Sequence, residues 1–275
     1  MIFTAMTIAG SDSGAGAGIQ ADLKTFAALG VYGTSVITAI TAQNSLRVTR
    51  VAPLDPALVA AQIDAVAGDI GAHAVKTGML ANAAIVEAVS RKIRRHRLIN
   101  VVVDPVMIAK GGRRLLTRDA LETLRSRLLP LATVVTPNVP EAEALAGMRL
   151  RRDSEIREAA EKIASLGPRA VVIKGGHRRG AAVDLLYEGG RFHEFAAPRI
   201  RTRHTHGTGC TFSAAIAAYL AKGETIERAV AGAKSFITRA IRGAFPVGAG
   251  HGPVHQFYAF WPGRAPEPMR RAKRS

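Results

Sequence analysis

Two short runs constrain the fold of this 275-residue chain more than any other feature: Val101-Val102-Val103 and Val171-Val172-Ile173. Every residue in them is β-branched and apolar. Such residues favour an extended backbone, and a strand with no polar side must be covered on both faces. Longer stretches with helical spacing separate runs of this kind. Residues 4–9, 34–41, 74–79, 101–104, 133–136 and 170–174 read as strands. Residues 19–29, 57–70, 83–95, 118–129, 153–166, 211–221 and 226–240 read as helices, with stops at Gly30, Pro130 and Gly167-Pro168. Residues 183–187 and 192–195, joined through Glu188-Gly189-Gly190-Arg191, read as a β-hairpin. This alternation predicts an α/β fold, a mainly parallel central sheet with helices on both faces. Ligands in such folds sit beyond the carboxyl ends of the strands.

Composition narrows the class. Hydrophobic residues make up 48% of the chain, ample for one full core. One domain is expected over residues 1–262, followed by a basic Pro/Arg-rich tail, 263–275, read as disordered. A single cysteine excludes an intrachain disulfide framework and fits a reducing compartment. The first basic residue is Lys24, so the basic start of a secretory signal is missing. No apolar run reaches membrane-spanning length. The expectation is a soluble cytoplasmic protein with no membrane partner.

The formal charge is +17. It is scattered rather than striped. Residues 91–97 read as an exposed helix end, and Arg113-Arg114, Arg151-Arg152 and Arg178-Arg179 as loop charges. Only 5% of residues are aromatic, which leaves few platforms for stacked bases. The charge reads as a solvated surface that helps attract an anionic substrate, with no specific nucleic-acid partner. Nucleic-acid binding is the reading from a different class, and it predicts steep salt dependence.

Several polar, glycine-rich segments follow strands. His206-Gly207-Thr208-Gly209-Cys210 precedes an Ala-rich helix. The unpaired N–H groups of a first helical turn, with the helix dipole, hold phosphate-like anions. The same field should lower the pKa of a thiol placed there, so Cys210 reads as a base beside an anion cradle, or else as a small buried hydrophobe. Gly10-Ser11-Asp12-Ser13-Gly14-Ala15-Gly16-Ala17-Gly18 lacks the dinucleotide-binding spacing, and Gly-Lys, needed for a P-loop, occurs nowhere. That segment reads as a flexible loop lining a substrate pocket. Asp104 ends a strand, where it either acts on a metal–nucleotide complex or caps a turn. Asn138 and Glu141 either hold Mg²⁺ through water or form a capping box. Lys174, ahead of Gly175-Gly176, suits a nucleotide phosphate. Gln43 suits the edge of a heterocycle, and Met79 its face.

Together these segments resemble the ribokinase-like superfamily and, within it, the hydroxymethylpyrimidine/phosphomethylpyrimidine kinases of thiamine biosynthesis. The resemblance runs from residue 4 to about residue 250. It rests on Ile8-Ala9-Gly10-Ser11-Asp12-Ser13-Gly14, Gly18-Ile19-Gln20-Ala21-Asp22, Thr41-Ala42-Gln43-Asn44, Lys76-Thr77-Gly78-Met79-Leu80, Asp104-Pro105-Val106-Met107, Thr136-Pro137-Asn138, Lys174-Gly175-Gly176-His177 and the Cys210 segment.

The resemblance implies an ATP- and Mg²⁺-dependent enzyme. It would phosphorylate 4-amino-5-hydroxymethyl-2-methylpyrimidine and then the monophosphate, working as a homodimer. It implies that Gln43 holds the aminopyrimidine edge, with Gly10, Asp22, Met79 and Val106 around it. Lys174 would face the ATP phosphates, with Asp104 also on the nucleotide side. Asn138 and Glu141 would organise Mg²⁺ and its waters. Gly207, Thr208 and Gly209 would supply anion-hole N–H groups. Cys210 would stand where the superfamily's sugar kinases carry an Asp base. A pyridoxal or pyridoxine kinase of the same superfamily is the nearest alternative.

Overall fold

The computed structural model describes residues 2–107, 116–177 and 181–261. The tail at 263–275 and the pairs Arg113-Arg114 and Arg178-Arg179 lie outside the described residues. Among the described residues one sheet carries nine strands: β1 (Thr4–Asp12), β2 (Tyr32–Gln43), β3 (Val48–Pro53), β4 (Ala74–Thr77), β5 (Val101–Val103), β6 (Val134–Val135), β7 (Ala170–Ile173), β8 (Ala182–Glu188) and β9 (Arg191–Ala197). Their order is β3-β2-β1-β4-β5-β6-β7-β8-β9. The six strands from β2 across to β7 run parallel, while β3, β8 and β9 join antiparallel.

The β-branched runs behave as their composition requires. Val101 and Val103 point into one core and Val102 into the other, the period-two alternation of a strand. The first core is closed by α2 (Pro56–Asp69), α3 (Ala83–Arg95), α4 (Arg118–Thr123), α5 (Val139–Ala146) and α6 (Asp153–Ala164). The second is closed by α1 (Gly18–Ala28), α7 (Thr208–Ala221) and α8 (Ile226–Arg242). Helix starts carry the caps their sequences offer. Asp55 accepts from the Ala57 N–H, Asn82 from Ile85 and Thr225 from Arg228. No helix among the described residues is long and apolar enough to cross a membrane.

Helix α7 sets the position of everything that follows. It packs against β1, β4 and β5 on one side and against α1 and α8 on the others. Ala214, Ala215, Ala217 and Ala218 are fully buried, and Ala5 and Ala74 of the sheet belong to the same core. Small side chains let the helix lie close to the strands. Its first turn therefore reaches the carboxyl ends of β1 and β4, between which the strand order reverses. That reversal is where open α/β sheets hold ligands.

Several expectations are corrected. Strand β1 continues to Asp12 and α1 begins at Gly18, so the Gly10–Gly18 segment starts as strand, turns over residues 13–17 and ends as helix. Strand β3 has no counterpart in the sequence reading, because its edge position leaves most of its residues exposed and without an apolar face. The segment expected as one helix over 118–129 is α4 followed by a π-helical stretch, Leu124–Leu128, and a 3-10 turn, Leu129–Leu131. Helix α5 is short and begins at the capping box.

Candidate active site

The strand ends and the α7 N-terminus enclose a cavity of about 900 Å³. Each strand end delivers a particular group to its wall. From β1 come Gly10 and Asp12, from β2 Gln43, and from the turn after β4 Met79. The turns after β5, β6 and β7 bring Asp104 and Val106, Asn138 and Glu141, and Lys174. Helix α7 adds Gly207, Thr208, Gly209 and Cys210. Asp22 is the exception among the expected residues. It is fully buried beneath the cavity and lines no part of it.

The start of α7 is built for close approach. Gly207 is the N-cap, in the left-handed region at φ 80°, and a Cβ there would collide with the Gly16 carbonyl. Glycine is needed on both counts. The Thr211 N–H returns to the Gly207 carbonyl, while the N–H groups of Gly209 and Cys210 have no acceptor among the described residues. They are the open anion-binding donors of the turn.

Beside them lies an ion cluster. Lys174 Nζ is 2.9 Å from Asp104 Oδ1 and 3.9 Å from Glu141 Oε2. Its place follows from the backbone, since the Lys174 N–H donates to the Pro137 carbonyl at 2.9 Å and registers the end of β7 on the turn before α5. Burial alone would lower the Lys174 pKa, but Asp104 and Glu141 outweigh it and hold the ammonium above the ordinary lysine value. Glu141 is pushed up to about 7 by burial, with Lys174 opposing and Asp104 adding to the rise. Both halves of the capping box are present: Glu141 N–H donates to Asn138 Oδ1 at 3.0 Å, and Asn138 N–H to Glu141 Oε2 at 2.8 Å. The cap and the polar site are therefore the same residues.

Cys210 lines this cavity, within the electrostatic reach of both Lys174 and Lys76. The expectation of a lowered thiol pKa is overturned. Burial pushes it up to about 11; Lys76 and the Gly18 N–H pull it down, while Asp22 and Asp104 push it further up.

The sequence reading left three pairs without roles. Lys76 and Asp22 form a fully buried ion pair at 2.8 Å, with Thr7 Oγ1 donating to the same carboxylate oxygen at 2.6 Å. Burial raises the Asp22 pKa against the pull of Lys76. A lysine within the apolar β4 was the available signal, because a charge there requires a buried partner. Its partner lies 54 positions away in the chain and had no signal. Asp12 and His206 meet at 2.9 Å. Lys234 of α8 meets Asp184 at 2.8 Å, and Asp184 Oδ1 accepts from the Gly175 N–H at 2.8 Å, which fixes the turn after Lys174. Apolar residues after β9 and on α8, among them Pro198, Ile200, Ile237 and Ile241, line the remaining cavity wall. In sequence they look like ordinary core.

A parallel sheet ending in a lysine, paired carboxylates and an open helix N-terminus defines a small-molecule kinase of the ribokinase-like type. The family described as phosphomethylpyrimidine kinase matches residues 12–255, and the chain belongs to that family. It is 50% identical to the hydroxymethylpyrimidine/phosphomethylpyrimidine kinase of Bacillus subtilis, over 93% of this chain and 95% of that protein. It is 53% identical, over 92% of its length, to the thiamine biosynthesis bifunctional protein ThiED of Geobacter sulfurreducens, of which it spans about half, 52%. Among solved structures, the ADP complex of Bacillus subtilis pyridoxal kinase superposes with a TM-score of 0.87 at 45% identity, covering 93% of this chain and 98% of that one.

The lone thiol allows a clean check on its ionisation. Iodoacetamide alkylation of the intact protein, followed by mass spectrometry, should be slow at pH 7–8 and rise steeply above pH 9. A rate that levels off below pH 8 would mean the helix field dominates after all.

Proposed function

We propose that the cavity binds ATP and 4-amino-5-hydroxymethyl-2-methylpyrimidine together, transfers the terminal phosphoryl group to the ring-borne alcohol, and then phosphorylates the monophosphate to the diphosphate for thiamine diphosphate biosynthesis. One observation carries the reading: Gln43, Lys174 and the first turn of α7 line a single cavity. An amide for the heterocycle, a cation for the phosphates and donors for the transferred group are thus within one enclosure.

Phosphoryl transfer depends mainly on positioning and charge stabilisation. Gln43 orients the ring edge, with Gly10, Met79 and Val106 shaping the pocket around it. A Cβ on Gly10 would come within 2.5 Å of the Met79 methyl, so any larger residue there would push that side chain aside. The N–H groups of Gly209 and Cys210 stabilise the charge on the moving group, with Gly207 and Thr208 shaping the turn. Lys174 offers the nucleotide phosphates a charge that its carboxylate neighbours keep protonated.

The donor set also fits Mg²⁺, which keeps most of its waters and takes few protein carboxylates. Asp104 and Glu141 would hold it, with Asn138 fixing Glu141 through the cap. Bound there, the ion would neutralise phosphate charge. Asp22 acts from below, as the partner that allows Lys76 to stay charged near Cys210.

Cys210 takes the proton of the alcohol in this reading. With a pKa of about 11 it is protonated at rest, with roughly one molecule in 10⁴ ionised at pH 7. Its thiolate depends on Lys76, and charge stabilisation dominates the barrier. The working enzyme is taken as a homodimer on the strength of the family resemblance, and as cytoplasmic on the strength of its composition. The second reading, a pyridoxal kinase, is favoured by the likeness to the Bacillus subtilis pyridoxal kinase structure.

An ATP-consumption assay with hydroxymethylpyrimidine, its monophosphate and pyridoxal should give the highest kcat/KM with the two pyrimidines. A preference for pyridoxal would overturn the substrate assignment. In the same assay Cys210→Ala should lose about 10²-fold in turnover with ATP affinity retained, the usual cost of removing a general base. A variant keeping more than half of wild-type activity would remove that role.

Glu141→Gln preserves the capping box but removes a carboxylate that gains its charge only above about pH 7. Wild-type kcat/KM should therefore fall as pH drops through 7. The variant should be slower at pH 8 and show no acid limb near 7. A limb that persists unchanged in the variant belongs to another group.

A further inference from the structure

The surroundings of Gln43 have a polarity. Its Oε1 lies 3.2 Å from Thr41 Oγ1 and its Nε2 3.3 Å from His206 Nε2. Both neighbours are already committed elsewhere. Thr41 Oγ1–H donates to the Ser11 carbonyl at 3.0 Å. A hydroxyl has one proton, so Thr41 turns a lone pair toward Gln43.

His206 Nε2 is 2.9 Å from Asp12 Oδ2. The Asp12 carboxylate also accepts from the N–H groups of Gly14 at 2.8 Å, Gly16 at 3.1 Å and Ala17 at 2.9 Å. Burial pushes Asp12 up, but His206 and these N–H groups outweigh it and keep the carboxyl below its usual range. An ionised carboxylate only accepts, so His206 Nε2 carries a proton and donates it.

A Gln43 amide with Nε2 toward His206 would set donor against donor, and with Oε1 toward Thr41, acceptor against acceptor. Turning the amide over removes both conflicts, and the hydrogen-bond network is what decides such an orientation. Nε2 then donates to Thr41, and Oε1 shares the His206 N–H with Asp12 Oδ2 in a three-centre hydrogen bond. His206 reaches this place because Gly16 has no side chain, since a Cβ there would overlap the imidazole.

We infer that His206, oriented by Asp12, fixes the direction of the Gln43 amide and so selects the hydrogen-bond polarity of the ring that binds. His206 is a positioning residue for specificity. The inference rests on the reading of Gln43 as the group that meets the heterocycle edge. Each amide atom keeps one free direction for the ligand. Oε1 accepts from an exocyclic amine, and Nε2–H donates to the adjacent ring nitrogen. A ring with an oxo group beside a protonated nitrogen offers the opposite order and meets a mismatch at both atoms.

The test measures Kd by calorimetry for 4-amino-5-hydroxymethyl-2-methylpyrimidine and for its 4-oxo analogue. Wild type should favour the amino ring by roughly 10²-fold or more, because a mismatch leaves buried polar groups unpaired. In His206→Leu the amide is free to turn, and the preference should fall at least about tenfold with ATP affinity unchanged. Gly16→Ala, which adds one methyl against the imidazole, should lower the preference in the same direction, and it carries the test if His206→Leu does not fold. Either folded variant keeping the wild-type ratio overturns the inference while leaving the pyrimidine kinase reading intact. Wild-type protein that fails to bind the amino ring, or prefers the oxo ring, overturns the reading of Gln43 and the inference with it.

Discussion

The close seat of α7 on the middle of the sheet is the contact on which the site depends. Alanines of the helix and of β1 and β4 are fully buried in the core between them. At the N-terminal end the contact tightens to backbone against backbone, where Gly207 faces the Gly16 carbonyl. A bulkier interface would lift the helix and take its open N–H groups away from the strand ends. The seat also brings Cys210 over the Lys76–Asp22 pair and Gly209 against the ion pair of Lys174 and Asp104, whose nearest atoms would be 3.5 Å and 3.8 Å from a Cβ on Gly209.

Charge in this cavity is arranged in pairs, each spanning two elements. Lys76 on β4 meets Asp22 on α1; Lys174 after β7 meets Asp104 after β5; His206 before α7 meets Asp12 on β1; Lys234 on α8 meets Asp184 on β8. A buried charge needs a counter-charge, and removing either member leaves the other exposed to the full cost of burial. The pairs therefore lock their elements together around one cavity. The same burial accounts for the high thiol pKa of Cys210 and the near-neutral pKa of Glu141.

Much of the architecture was legible in the chain. Val101-Val102-Val103 announces a strand covered on both faces, and Asn138 announces a helix start. The motifs at Gly10, Gln43, Met79, Asp104, Asn138, Lys174 and Cys210 all come to one cavity, as strand-end motifs should. What escaped has a common cause. Strand β3 is set by pairing with β2 rather than by its own pattern. The apolar wall formed by Pro198, Ile200, Ile237 and Ile241 looks like core until the fold opens a cavity beside it. Asp22, expected in the pocket, is drawn beneath it by Lys76.

By itself the sequence determined most of the strands and helices, because side-chain periodicity and end caps are local properties. It also determined that polar, glycine-rich turns would gather at one edge of a parallel sheet, since every βαβ unit of that hand returns its loop to the same end. Only the tertiary structure decided which charges pair, how far Cys210 and Glu141 shift, and which polar groups surround the amide of Gln43. Those properties depend on distances between residues far apart in the chain and on how much water is excluded between them, and neither is set until the helices close over the sheet.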